Sequence, residues 1–236
     1  MSDKGEFSLS ENLSELRTRL IKILLAVFAG CLLCWFFGSW ILDVIRRPIA
    51  PFLTSTEGQL IVLSPLEKFL SYLKVCLFAG VFVTCPYWLF QIWKFIAPGL
   101  YEDEKYWGRI FIGAGSVLFF CGGAFVYFVV YPLAFQFLIN FGGDELPFIS
   151  LKEYLSFFIR TSLVFAFVFE IPLLLSLLIK MNILTVEQLR ASRRYAIVLI
   201  AVLSALITPP DIVSMLLMMA PLYLLFELSI LIGKRI

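Results

Sequence analysis

The side chains best placed to do chemistry in this 236-residue chain are acids in two short polar segments: Glu15 in the run ENLSELRTRL, and the triplet Glu102, Asp103 and Glu104 in IAPGLYEDEK. Both segments adjoin long uncharged apolar stretches, and the distribution of bases described below puts both on the cytosolic side of a membrane. Basic residues are the expected companions of a bilayer on that side. Carboxylates held there make a docking place for a basic ligand through charge-assisted hydrogen bonds. A second kind of candidate is Glu170, between Phe169 and Ile171 and just ahead of Pro172; Glu227 is a similar case nearer the chain end. An ionisable group inside an apolar helix costs a few kcal/mol or more if it faces lipid, so it is protonated, paired or set against a wet groove. The plainer alternative for Glu170 is an internal hydrogen bond between helices.

The rest of the inventory points to recognition rather than catalysis. The chain has no histidine, which removes the usual general base and the commonest metal ligand. Its five cysteines, Cys31, Cys34, Cys76, Cys85 and Cys121, all lie in apolar stretches and read as small buried hydrophobes. Cys31 and Cys34 form a C-x-x-C, but inside an apolar helix and without further ligands it carries no metal or redox site. There is no glycine-rich loop with its lysine to cradle a nucleotide, and no nucleophile elbow or zinc-protease motif. The expectation is a protein that is not an enzyme, with no cofactor and no nucleic-acid partner.

These residues must be positioned by membrane helices. The composition is 61% hydrophobic and only 15% charged, against about 25% charged in soluble domains. A helix needs about 20 apolar residues to cross a bilayer core. Six segments qualify: Ile23 to Leu42, Val75 to Trp93, the uncharged run after Arg109 to Gly143 with its helix emerging near Asn140, Leu155 to Ile179, Tyr195 to Ile207, and Ile212 to Gly233. Pro86, Pro172 and Pro221 lie inside or beside three of them. The fifth is short, rising only about 20 Å, and the TPPD run from Thr208 to Asp211 ends it. The fifth and sixth therefore read as a short hairpin rather than one re-entrant element. The predicted fold is all-α, polytopic, with six transmembrane helices of which the last two are short.

With the amino terminus inside, thirteen basic residues fall on inner segments and four, Arg46, Arg47, Lys68 and Lys152, on outer ones. The positive-inside rule then places both termini in the cytosol. The chain reads as one membrane domain over 1–236. It comprises a cytosolic amphipathic segment at 1–22, an outer loop at 43–68, a cytosolic loop at 94–109, an outer loop at 140–154 and a cytosolic loop at 180–194. The first span reads as uncleaved.

Two inner segments carry further detail. In the first, Ser8 and Glu11 fit a capping box. Leu13, Leu16 and Leu20 form an apolar stripe, and Glu15 and Arg19 face each other at i, i+4, a spacing that by itself stabilises a helix end. In the loop between the second and third spans, Pro98 and Gly99 make a turn. Phe95, Leu100, Tyr101, Tyr106 and Trp107 rim it, as in an interfacial aromatic belt. The outer loop at 43–68, with Pro48, Pro51 and Pro65, reads as packed across the outer ends of the spans. Arg160 and Lys74 lie near span ends and can snorkel.

At these residues the chain resembles the TatC family, the core component of the twin-arginine protein translocase. The matching pieces, in order over nearly the whole chain, are NLSELRTRL, RRPI, QIWKFIAPGLYEDEK, FVVYPLAFQFL, FEIPLLL, ITPPD and LFELSI. One departure is Asn12, where the family often has histidine. The resemblance implies a cup-like wall of six helices, in an energy-transducing membrane of the bacterial or thylakoid type. It implies binding of signal peptides with consecutive arginines by the amino-terminal segment and the first cytosolic loop. Carried over residue by residue, Glu15 and Glu104 match the acidic recognition positions, with Leu16, Arg17, Phe95, Pro98, Leu100, Tyr101 and Asp103 beside them. Pro48 and Asp211 match outer positions that affect assembly or function, and Glu170 matches the intramembrane acid. The implied partners are the single-span components TatA and TatB, within an oligomer in the lipid bilayer, and the implied energy source is the proton-motive force. The chemistry agrees: guanidinium pairs with carboxylate through a two-pronged fork that lysine lacks, and two adjacent arginines need acceptors on two surfaces. The competing reading is a proton-coupled small-solute transporter using Glu170 and Glu227, which predicts inverted repeats; none is evident. An intramembrane enzyme would lack a nucleophile and a base.

Overall fold

The computed structural model describes residues 9–51, 59–96, 107–141, 148–207 and 212–234. The described part is almost wholly helical. Helix α1 (Leu9–Trp35) runs unbroken from the polar amino-terminal segment into the first span, so the amphipathic segment and the span form one rigid rod. The first span ends at Trp35, seven residues before the predicted Leu42. The chain turns at Phe36 and Phe37 and continues as α2 (Gly38–Arg46). The hydroxyl of Tyr72 donates to the Trp35 carbonyl at 2.8 Å, which supplies a partner for a carbonyl at the open helix end. The ring of Tyr72 also packs on Gly38, where any side chain would collide with it.

After strand β1 (Gln59–Ile61) comes α3 (Pro65–Val83), starting ten residues before the predicted second span. Ser64 caps it, accepting from the Glu67 amide at 3.1 Å, and Pro65 occupies the first turn, where its missing N–H costs nothing. The second span is not one helix. It bends by 56° between α3 and α4 (Cys85–Ile96). Pro86 has no N–H to continue the ladder, and the Thr84 hydroxyl folds back onto the Gly80 carbonyl at 2.7 Å.

The third span comprises α5 (Trp107–Phe125), a π-helical turn (Val126–Val130) and α6 (Tyr131–Phe141). Its end at Phe141 agrees with an emergence near Asn140. The widened turn has a physical reason in Pro132, whose ring would press on the carbonyl four residues back and which brings no N–H. Strand β2 (Phe148–Ser150) pairs in parallel with β1, Gln59 opposite Phe148 and Ile61 opposite Ser150. These three-residue strands are a small correction to a purely helical expectation. Then α7 (Leu151–Phe169) and α8 (Ile171–Lys180) form the fourth span, broken at Glu170. A short helix, α9 (Val186–Ala191), lies in the predicted inner loop, started by a reciprocal cap between Thr185 and Gln188. Helices α10 (Arg193–Ile207) and α11 (Ile212–Gly233) follow at the predicted positions.

Among the described residues three helical stretches are long and apolar enough to cross a membrane, Leu13–Trp35, Gly108–Gln136 and Leu151–Lys180, and the bent pair α3–α4 qualifies as a fourth. With 15 residues, α10 rises only about 22 Å, less than a bilayer core of about 30 Å. Large apolar side chains, among them Leu24, Phe28, Val117, Phe128, Val198 and Leu224, point outward along the bundle, as a hydrocarbon surround allows. This is a multi-pass membrane protein.

Two buried clusters hold the bundle. One joins Ile45, Ile49, Val126, Tyr131, Tyr154, Phe158 and Phe165, with the Tyr131 and Phe158 rings stacked at 4.8 Å. Tyr127 and Tyr154 donate from their hydroxyls to the carbonyls of Val44 and Ile45, which packs the last turns of α2 on the third and fourth spans. The other joins Cys85, Trp88, Leu89, Trp93, Phe111 and Phe119. Helices α1 and α3 cross closely at Gly30 and Gly80: a Cβ on Gly80 would sit 2.7 Å from the Cys31 amide nitrogen.

Candidate functional site

The amino-terminal end of α1 carries the first candidate. Glu15 is half-buried, and the Arg19 guanidinium donates to its Oε1 through both Nε, at 3.0 Å, and Nη2. The pair has the predicted i, i+4 spacing on one helix face. Leu13, Leu16 and Leu20 are exposed on another face, and Arg17 is exposed beside them. Next to Glu15 lies a groove of about 360 Å³ lined by Ser14, Glu15, Thr18, Arg19, Lys22 and Lys94. Lys94 belongs to the last turn of α4 and lies over the Phe90 ring at 4.4 Å. The groove therefore joins α1 to the end of α4, where the chain leaves for residues 97–106. Phe95, partly exposed, is the last recognition candidate before that segment. Pro98, Leu100, Tyr101, Asp103 and Glu104 lie outside the described residues, as do Ser8 of the expected capping box and Asp211.

Glu170 occupies a different place. It closes α7 and opens α8, its amide donating to the Phe167 carbonyl at 3.1 Å and its carbonyl accepting from Leu174 at 2.9 Å. Pro172, in the first turn of α8, withholds the next N–H and fixes the break. Its carboxylate lies between α4, α5 and α8: a Cβ on Gly115 would come within 3.1 Å of both Glu170 Oε2 and Leu89 Cδ1, and within 3.3 Å of Leu173. Gly115 thus leaves the room the carboxylate occupies. Oε1 of Glu170 is buried and has no hydrogen-bond partner among the described residues. Among the described residues this oxygen makes no hydrogen bond to another helix of the chain.

Glu227 is satisfied instead. Arg193 at the start of α10 donates to its Oε2 at 2.8 Å, and the Tyr223 hydroxyl to its Oε1 at 2.8 Å. It sits six residues before the end of α11, level with the head of α10, so its depth is less than hydropathy alone implied. Glu227 is thus engaged by a guanidinium and a phenol, whereas the buried Glu170 oxygen is not engaged in this way among the described residues. Lys74 reaches Ser156 at 3.4 Å, and Arg160 is exposed.

At the opposite end, Pro48 lies in the turn after α2, partly buried beside the fully buried Ile49. Sequence reasoning missed Glu67 nearby. Its Oε2 accepts from the Leu63 amide at 3.0 Å, and its Oε1 from Ser150 Oγ and the Lys152 amide at 3.1 Å each. One carboxylate thus ties the start of α3 to the junction of β2 and α7, across the two outer loops. The signal available was the Ser64–Pro65–Leu66–Glu67 run, a helix-start pattern that had been placed inside a loop.

Among the described residues no group of acids and cysteines has metal-binding geometry, and the described cysteines are free thiols. Among the described residues the arrangement offers the Glu15 carboxylate in an open groove at the amino-terminal end of α1 and, between α4, α5 and α8, a buried Glu170 oxygen without a hydrogen-bond partner.

Comparison with known proteins meets this geometry. The profile of the family described as "Sec-independent protein translocase protein (TatC)" matches residues 11–221. The chain is 40% identical to the protein of that name from Desulforapulum autotrophicum, over 99% of this chain and 86% of the relative. It is 39% identical to the one from Aquifex aeolicus, over 96% and 94%. The solved structure titled "Crystal Structure of Twin Arginine Translocase Receptor- TatC" superposes with a TM-score of 0.85 at 37% identity, covering 95% of this chain and 99% of that one. Sequence and fold agree over the same span, and the chain belongs to the TatC family of Sec-independent protein translocase proteins.

Proposed function

We propose that this chain is the receptor and scaffold subunit of a twin-arginine translocase, binding signal peptides with two consecutive arginines at the inner end of α1 and α4. The observation that carries the reading is the groove beside Glu15, which brings a carboxylate on a rigid helix next to Lys94, at the exit of α4 toward the acidic triplet Glu102, Asp103 and Glu104. One guanidinium of the ligand pairs with Glu15 and the other with Glu104, each by a charge-assisted fork. Leu16, Arg17, Phe95, Pro98, Leu100, Tyr101 and Asp103 form the surroundings, and the apolar part of the signal lies along the exposed leucines of α1. Both termini are cytosolic, which assigns 1–22, 94–109 and 180–194 to the inner face and 43–68 and 140–154 to the outer face. Glu170 receives a polar group from the single helix of a TatA or TatB subunit, and Pro48 and Asp211 serve assembly on the outer face. The complex is oligomeric, works in an energy-transducing membrane and draws on the proton-motive force. The chain itself catalyses no covalent step.

The side of the membrane and the ligand are tested together. A labelled twin-arginine peptide should bind saturably to sealed inside-out vesicles containing this chain and leave right-side-out vesicles unlabelled. Equal binding to both, or binding only to right-side-out vesicles, contradicts the assignment.

A further inference from the structure

The acceptor that recognition needs is not vacant. Both Nε and Nη2 of Arg19 are directed at one oxygen of Glu15, and the Arg19 side chain is the better shielded partner, 18% exposed against 39% for the carboxylate. An arriving arginine offers Glu15 the same chemical group that Arg19 already supplies. From this geometry we propose that Arg19 is an internal competitor: a tethered guanidinium that occupies Glu15 and must be displaced before a signal arginine pairs there. The inference rests on the proposed function of Glu15 and adds a determinant of threshold to it.

The physics favours a displaceable occupant. An acid four residues before a base on a helix is the preferred order for such pairs, yet each is weak. The competitor thus lowers the affinity of every basic ligand by a common factor. A ligand presenting one arginine, or lysines without the fork, gains too little to pay that factor. A ligand with two arginines gains a second pairing elsewhere and overcomes it. Lys22 and Lys94 line the same groove and add repulsion from a distance. Among the described residues neither is paired with Glu15, so their effect differs in kind from that of Arg19.

The test uses the full chain in lipid nanodiscs and a fluorescent twin-arginine peptide titrated at fixed salt. Arg19→Gln should lower the Kd by about two- to fivefold, the equilibrium weight of one such pair. It should also make a single-arginine peptide measurably bound. Lys22→Gln removes a charge from the same groove without vacating Glu15 and should give a clearly smaller gain. Arg19→Lys, which keeps the charge and loses the fork, should fall between wild type and Arg19→Gln and serves if Arg19→Gln does not fold. Glu15→Ala, measured alongside, reports on the site itself. If Glu15→Ala weakens binding but Arg19→Gln leaves the Kd unchanged or raises it, the competitor is overturned while the site stands. Equal gains from Arg19→Gln and Lys22→Gln overturn it as well, by showing only bulk charge. If Glu15→Ala changes nothing, the recognition site fails and the competitor fails with it.

Discussion

Replacing Glu15 or Glu104 by alanine should each weaken twin-arginine peptide binding by more than about fivefold, beyond the roughly 0.2–1 kcal/mol of a single exposed ion pair. The excess has two sources. The lost contact is a fork of charge-assisted hydrogen bonds at a membrane interface, where hydration is reduced. And Glu15→Ala leaves a signal guanidinium beside the bases of the groove, Arg19, Lys22 and Lys94, with the groove's own acid removed. Lysine at either position adds repulsion and should abolish measurable binding. The two acids sit on different segments, so the losses should add when both are changed. Isothermal titration of the purified variants measures this. Unchanged affinity in both alanine variants rules out the docking site.

The second large effect is expected at Glu170. Its Oε1 is buried without a partner among the described residues, in a helix break fixed by Pro172, in space that Gly115 leaves open. A buried acceptor with no partner is costly, and a partner's polar side chain relieves that cost. Interhelical hydrogen bonds in membranes contribute only about 0.6–2 kcal/mol, which suits an assembly that forms and dissolves. Glu170→Gln keeps the hydrogen-bonding capacity and should retain most recruitment of the single-span subunits. Glu170→Leu should lose most recruitment, read by co-purification, while peptide affinity stays at the wild-type level. Equal failure of both variants would implicate the proton itself and revive the proton-pathway reading. Full activity in both would leave Glu170 as a tolerated structural group.

How far the sequence carried these conclusions depended on the kind of signal. The sixth span was predicted at Ile212 to about Gly233 and α11 has those bounds, because Pro209, Pro210 and Asp211 precede it and Lys234 and Arg235 follow it. The fourth and second spans were each read as continuous, although Pro172 stands beside the break at Glu170 and Pro86 beside the bend at Thr84. The first span was set too far along because Phe36, Phe37 and Trp40 keep hydropathy high through a turn that Gly38 and Tyr72 create. Hydropathy reads solvent preference, not chain direction. The second span was started too late because Ser64, Glu67 and Lys68 looked like loop, although their order is that of a helix start. The π turn at Val126–Val130 has a local cause in Pro132 that hydropathy does not register, and the two short strands arise from tertiary fit, since three residues leave no periodicity to read. The Glu15–Arg19 pair was legible because helical spacing fixes it. The Arg193–Glu227 pair was not, since its partners lie 34 positions apart and meet only when α10 folds against α11. Asp103 and Glu104 stood out as part of an acidic triplet, and Pro98, Leu100 and Tyr101 as a turn and its rim; their roles, and that of Asp211, came by resemblance and remain proposals beyond the described residues.

The most direct test of the central claim compares two peptides on one purified protein. The chain, in nanodiscs without other subunits, is titrated with a signal peptide bearing consecutive arginines and with the same peptide bearing consecutive lysines. Both carry the same charge, so bulk electrostatics treats them alike, and only the planar fork distinguishes them. Recognition by paired carboxylates predicts at least tenfold tighter binding of the arginine peptide, about 1.4 kcal/mol, with the difference shrinking toward zero when Glu15 and Glu104 are both alanine. Equal affinity for the two peptides in the unaltered protein would contradict it.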